Sequence, residues 1–251
     1  MNVARPAAVL TAGLAASLLA ACGAAPASGP GDTLTVLAAS SLTEALPVIA
    51  AEFEAEHGQV AVRLSFGGSQ ELVAQASSGT PADVLALAGT SSLDAVSDQV
   101  GRPVVFAHNR LTIIVPSGNP AHVTDLADLA DPQVAVALAG PEVPAGQYAV
   151  EALEAAGLTV SPVSQEVDVK AVVTRVTLGG ADAGIVYVTD AAAAGDAVDT
   201  VPIPRAQNVV ATYPAVTLDA SRQPELARAF VAFLRSPPAQ QVLRRFGFAP
   251  S

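Results

Sequence analysis

Four short stretches share one feature: Ser40-Ser41, Gly68-Ser69, Val143-Pro144-Ala145-Gly146 and Asp168-Val169. Each lies where a strand-like run or a loop gives way to a helical pattern, and each offers small or hydroxyl residues there. Tyr187 closes an apolar run in the same way, just before Thr189-Asp190. The start of a helix carries backbone N–H groups with no intrahelical acceptor and a partial positive charge, so it attracts anions. Serine hydroxyls, main-chain N–H groups and a phenol are neutral donors. Converging on one cleft, they hold a small oxyanion without lysine or arginine. The plain alternative stands beside each: Ser41 and Ser69 as helix caps, Ala145 and Val169 as ordinary first-turn residues, Tyr187 as a core-edge aromatic.

Catalytic signatures are missing. The chain has no Gly-x-Ser-x-Gly elbow, no Ser-x-x-Lys pair at Ser40 or Ser41 and no Walker loop. Gly67-Gly68-Ser69 is too short for a dinucleotide fingerprint. Lys170 is the only lysine, and His57, His108 and His122 match no metal-ligand spacing. No enzyme activity and no cofactor are expected.

The elements that must position these residues alternate between strand and helix. Residues 34–38 read as a buried strand, and Leu42, Leu46, Ile49, Ala50 and Phe53 fall at helical spacing. Further strands are expected over 60–66, 83–87, 111–115, 134–138, 183–188 and 209–218. Helices are expected from Ser69 through Ala76, over 91–100 and 124–129, from Pro144 to Gly157 and from Asp168 through Leu178. A short Ala-rich helix should start at Thr189, and two more should close the chain around 226–234 and 239–246. Continuous apolar strands between helices imply parallel sheets covered on both faces, an α/β protein. In such sheets ligands bind outside the carboxyl ends of the strands.

Composition narrows the partners. The net charge is −11 over 251 residues, tryptophan is absent and aromatics make up 4%. Nucleic acid and anionic lipid surfaces are poor partners for such a chain, and stacking platforms are lacking. Arg5 followed by the apolar segment 7–20 has the size of a signal peptide. Leu19-Ala20-Ala21-Cys22-Gly23 resembles a bacterial lipoprotein signal, which would be removed as 1–21 and leave Cys22 as the lipid-modified first residue. An ordinary signal peptide with an incidental Cys22 is the alternative. Cys22 is the only cysteine, so no intramolecular disulfide is available. Residues 22–32, rich in Ala, Gly, Pro and Ser, read as a tether.

Longer stretches carry a family resemblance. These are Ala38-Ala39-Ser40-Ser41-Leu42-Thr43, Ser65-Phe66-Gly67-Gly68-Ser69 and Gly79-Thr80-Pro81-Ala82-Asp83-Val84. Val143-Pro144-Ala145-Gly146-Gln147-Tyr148-Ala149 and the run from Ala181 through Gly184-Ile185-Val186-Tyr187 to Ala191 follow, then Tyr213-Pro214 and Arg245-Phe246-Gly247-Phe248. In this order they resemble the substrate-binding proteins of molybdate ABC transporters. The resemblance implies a type II periplasmic-binding fold, with two α/β lobes around a ligand cleft. One lobe would take 33–106 and 217–251, the other 107–216, with hinges near 106–111 and 211–217.

The resemblance also implies a ligand and its contacts. Molybdate, or tungstate, would be held as a tetrahedral oxyanion by the hydroxyls of Ser41, Ser69 and Tyr187 and the N–H groups of Ala145 and Val169. Selectivity against sulfate would come from cavity size. The expected protein is a monomer that hands its ion to an ABC permease and meets the cell membrane only through a lipid on Cys22. Two positions depart from the family pattern: Lys170 stands where arginine is common, and Gly67-Gly68 replaces a serine-rich loop. Other readings are a binding protein for another oxyanion or small organic acid, an exported serine hydrolase, and a surface-interaction lipoprotein.

Overall fold

The computed structural model describes Met1, Asn2 and residues 32–251. The rest of the expected leader, Cys22 and the tether up to residue 31 lie outside the described residues. Strand β1 (Thr33–Ala39) runs into a 3₁₀ turn (Ser40–Leu42), followed by α1 (Leu46–His57), β2 (Ala61–Gly67), α2 (Ser69–Ser77) and β3 (Val84–Ala86). After a 3₁₀ segment (Ser91–Val96) comes the long β4 (Val104–Pro116), a 3₁₀ turn (Ala127–Ala130), β5 (Val136–Ala139), α3 (Pro144–Ala155), β6 (Ser164–Glu166) and α4 (Val169–Thr177). The chain finishes with β7 (Ala183–Tyr187), α5 (Val188–Ala194), β8 (Val198–Pro202), β9 (Val210–Thr217), α6 (Pro224–Phe233), α7 (Pro237–Arg245) and β10 (Ala249–Pro250). No helix among the described residues is long and apolar enough to cross a membrane.

The strands lie in the order β2-β1-β3-β9-β4-β7-β5-β6, with β8 and β10 also paired to β4. Two parallel sets sit at the ends of this order: β1 with β2 and β3, and β5 with β6 and β7. Between them every pairing is antiparallel. The seam is β4. Its Val104–Arg110 half pairs with β9, and from Leu111 onward it pairs with β7 and β8. One strand thus enters two sheets, each carrying its own parallel set. The expectation of parallel sheets holds for the outer sets and fails at the seam. There β4 runs from one sheet into the other and meets β9, β7 and β8 all antiparallel.

Burial explains the pattern of each strand. β1 is interior from Val36 onward but for its first residues, and the Leu111–Val115 part of β4 is buried throughout, as expected of strands covered on both faces. β2 alternates exposed and half-buried positions, because it is an edge. Phe53 of α1 packs edge-on against Phe230 and Phe233 of α6, with ring centroids 5.1 and 5.4 Å away.

One expected helix starts later than its apolar spacing suggests. The pattern from Leu42 opens as a single 3₁₀ turn, and α1 begins at Leu46 with a proline in its first turn. Pro47 has no N–H and clashes with the carbonyl four residues back, so it is tolerated at a helix start and not inside one. The segments 91–100 and 124–129 likewise form 3₁₀ turns (Ser91–Val96 and Ala127–Ala130) in place of α-helices.

Candidate functional site

The carboxyl ends of both parallel sets face one small cavity. Ser41, Ser69, Ala145, Val169 and Tyr187 all line it, together with neighbours such as Gly68, Ala88, Pro144 and Asp168. The five residues come from positions 41 to 187 of the chain, yet each is nearly fully buried at this one place.

Ser41 sits in the 3₁₀ turn after β1 and caps nothing: the turn has no side-chain cap bond. Its Oγ lies 2.9 Å from the Tyr213 hydroxyl. Ser69 is the first residue of α2, and its Oγ accepts the Ala88 N–H just beyond β3 at 3.0 Å. The capping alternative therefore fails for Ser41, while Ser69 bonds across to another strand end.

Ala145 lies in the first turn of α3, after Pro144, where the helix itself supplies no acceptor for its N–H. Gly146 makes this placement possible. A Cβ there would stand 2.2 Å from the Gly140 carbonyl oxygen and 2.4 Å from that of Ala139, so only glycine lets α3 start this close to β5. Val169 opens α4. The Asp168 side chain caps that helix by accepting the Ala171 N–H at 2.9 Å, which leaves the Val169 N–H without an intrahelical partner. Among the described residues, Asp168 is the one charged residue lining the cavity, and no lysine, arginine or histidine lines it.

Tyr187 ends β7 and precedes α5. It is 1% exposed, and among the described residues no hydrogen-bond partner reaches its hydroxyl. Burial holds the phenol well above its ordinary pKa, so it stays a neutral donor. A buried hydroxyl left unpaired costs about 1–3 kcal/mol, which an acceptor in the cavity would recover.

Three contacts tie the walls together around this cavity. Gln70 Nε2 donates to the Val167 carbonyl at 2.9 Å, and Ser91 Oγ donates to Gln147 Oε1 at 3.1 Å. Lys170 reaches Glu44 at 2.8 Å and the buried Asp190 at 3.0 Å. Burial works against the Lys170 charge, but Asp190 and Glu44 outweigh it and raise its pKa. Burial lifts the Asp190 carboxyl to about 6 despite the nearby ammonium. The lysine that departs from the family pattern is thus engaged with carboxylates and does not line the cavity.

Sequence reasoning missed the groups behind Ser41. Tyr213 and Asn109 are 0% and 2% exposed, and they connect Ser41 to Thr189 by hydrogen bonds. The signal was there: Asn109 is a polar residue entering an apolar strand, and Tyr213-Pro214 belongs to the motif set without a role of its own.

Residues 34–249 match the family of bacterial extracellular solute-binding proteins. The molybdate-binding protein ModA of Mycobacterium tuberculosis is 38% identical over 254 residues, covering 96% of this chain and 97% of that one. ModA of Escherichia coli is 31% identical over 229 residues, 86% of this chain and 88% of the relative. In fold, the periplasmic molybdate-binding protein of Azotobacter vinelandii superposes with a TM-score of 0.76 at 20% identity, over 87% of this chain and 99% of that one.

Proposed function

The chain belongs to the bacterial extracellular solute-binding proteins, a family of binding proteins and not of enzymes, and we propose that it captures molybdate for an ABC permease. The observation that carries this is the buried, unpartnered Tyr187 hydroxyl in a cavity it shares with Ser41, Ser69, Ala145 and Val169. In this reading three hydroxyls and two N–H groups surround a tetrahedral dianion and no bond is made or broken. The first turns of α2, α3 and α4 add their dipoles. These neutral donors offset a chain whose net charge is −11. Tungstate, with the same shape and charge, is the second ligand, and cavity size turns away sulfate.

The rest of the proposal concerns delivery. Lobes of 33–106 with 217–251 and of 107–216 close over the ion and present it to the permease. A lipid on Cys22 holds the monomeric protein at the membrane, outside the cytoplasm. The protein needs no cofactor and catalyses nothing.

Calorimetric titration with molybdate, tungstate, sulfate and phosphate tests the ligand. One-to-one binding of the first two, with the last two silent, is the expected result. No heat with molybdate and no rise in melting temperature would remove molybdate as the ligand, and heat with sulfate alone would replace it.

A further inference from the structure

Asn109 is buried on β4, one residue before the point where that strand changes sheets. Its Oδ1 accepts the N–H of Arg110 at 2.9 Å. A main-chain N–H can only donate, so this bond fixes which end of the amide is oxygen. The Nδ2 end then has two hydrogens to place. One goes to Thr189 Oγ1 at 2.9 Å, and the other meets the Tyr213 hydroxyl at 3.4 Å.

The polarity passes along from there. The Tyr213 oxygen receives a hydrogen from Asn109, so its own hydrogen is available for Ser41 Oγ, 2.9 Å away. The phenol has little freedom to turn elsewhere: its ring is fully buried, with Phe248 and Phe106 edge-on at centroid distances of 5.3 and 6.3 Å. Ser41 Oγ thereby becomes the acceptor of that bond, and its hydrogen is left for the cavity it lines. A serine hydroxyl alone donates or accepts as its neighbour requires. This one is committed to donating.

We propose that Asn109 and Tyr213 are positioning residues that fix Ser41 as a hydrogen-bond donor toward the bound ion. The proposal rests on the oxyanion reading of the cavity and adds a demand on the ligand: the oxygen facing Ser41 must accept a hydrogen bond from it and cannot donate one to it. The relay also draws on both crossing strands, β4 and β9, so the orientation of a hydroxyl in one wall is set at the seam between the sheets. Its longest link, from Asn109 to Tyr213, is the weaker one, so Tyr213 matters more than Asn109.

A double-mutant cycle on molybdate affinity separates this role from a merely structural one. Tyr213→Phe, which keeps the ring, should weaken binding about 5- to 30-fold. In a Ser41→Ala background the same change should cost less than about twofold, because there is no hydroxyl left to orient. Asn109→Ala leaves the packing of Tyr213 in place and should give the same pattern at about two- to tenfold. Effects that multiply in the double variants, or a Tyr213→Phe protein that binds as the wild type does, would overturn the relay.

A second readout needs no ligand. In solution NMR the Tyr213 hydroxyl proton should exchange slowly and show a through-space cross-peak to the Ser41 β protons, lost in Asn109→Ala. Absence of that cross-peak in the wild type overturns the relay, whereas a silent wild-type titration overturns the ligand alone.

Discussion

On the wall formed by β1, α2 and the end of β3, both serine hydroxyls already have protein partners: Ser41 has Tyr213 and Ser69 has the Ala88 N–H. On the wall formed by α3, α4 and β7, the Tyr187 hydroxyl has no partner, and the other donors are first-turn N–H groups. The first wall is oriented before a ligand arrives, and its hydroxyls hold structure as well as site. The second carries unused donors whose desolvation the fold bears until an acceptor enters. Removing a side-chain donor should therefore separate the walls: on the first it costs stability and affinity together, on the second affinity alone.

The largest effect should come from moving the second wall bodily. Gly146→Ala places a methyl group 2.2 Å from one carbonyl oxygen and 2.4 Å from another, both backbone, so α3 must shift. The expected loss is on the order of 100-fold in molybdate affinity, with about 1–3 kcal/mol of stability from overpacking. Titration together with urea denaturation measures both. Lost stability with intact affinity would take the start of α3 out of the binding wall.

A sharper contrast pits one hydroxyl from each wall against the other. Tyr187→Phe and Ser69→Ala each remove a donor to a charged ligand, worth roughly 1.5–3 kcal/mol or about 10- to 150-fold in affinity. Their ligand-free stabilities should diverge. Tyr187→Phe gives up no protein hydrogen bond and should melt no lower than the wild type. Ser69→Ala orphans the Ala88 N–H and should lose about 1–3 kcal/mol. Equal melting temperatures for the two variants would erase the difference between the walls.

Much of this was legible from residue types, because local chemistry governs it. Asp168 caps α4 and Pro144 opens α3, which ends before Gly157, as their side chains dictate. All five residues named from the family resemblance line one cavity. The seam was harder to read. The first half of β4 ends in the polar run His108-Asn109-Arg110, and the start of α1 is set by Pro47, beyond the first apolar position of its helical pattern. The short strands Ser164–Glu166 and Val198–Pro202 have little apolar character; their neighbours in the sheet define them. The relay behind Ser41 joins positions 41, 109, 189 and 213, a convergence created by tertiary packing and invisible to local spacing.

The smallest effect on affinity belongs to Asp190, which lies behind the second wall and pairs with the lysine that also reaches Glu44. Burial raises its folded pKa to about 6 from an ordinary 3.8, with Lys170 pulling the other way and Glu44 adding to the rise. Between these values the folded protein holds a proton that the unfolded chain has lost. Its contribution to stability is therefore fully present below about pH 4, is lost as the pH rises toward 6, and is level above that. Other carboxylates act in the opposite sense: Asp128, which accepts the Thr124 N–H and hydroxyl, has a lowered pKa and favours the fold as the pH rises. A single melting curve mixes the two. Asp190→Asn, which mimics the protonated side chain, isolates the one of interest. The melting temperature of the wild type relative to this variant should fall steadily from pH 4 to 6.5, while molybdate affinity at pH 7 changes less than about threefold. A difference that stays flat with pH would mean that Asp190 is ionised in the fold throughout, with Lys170 fully offsetting its burial.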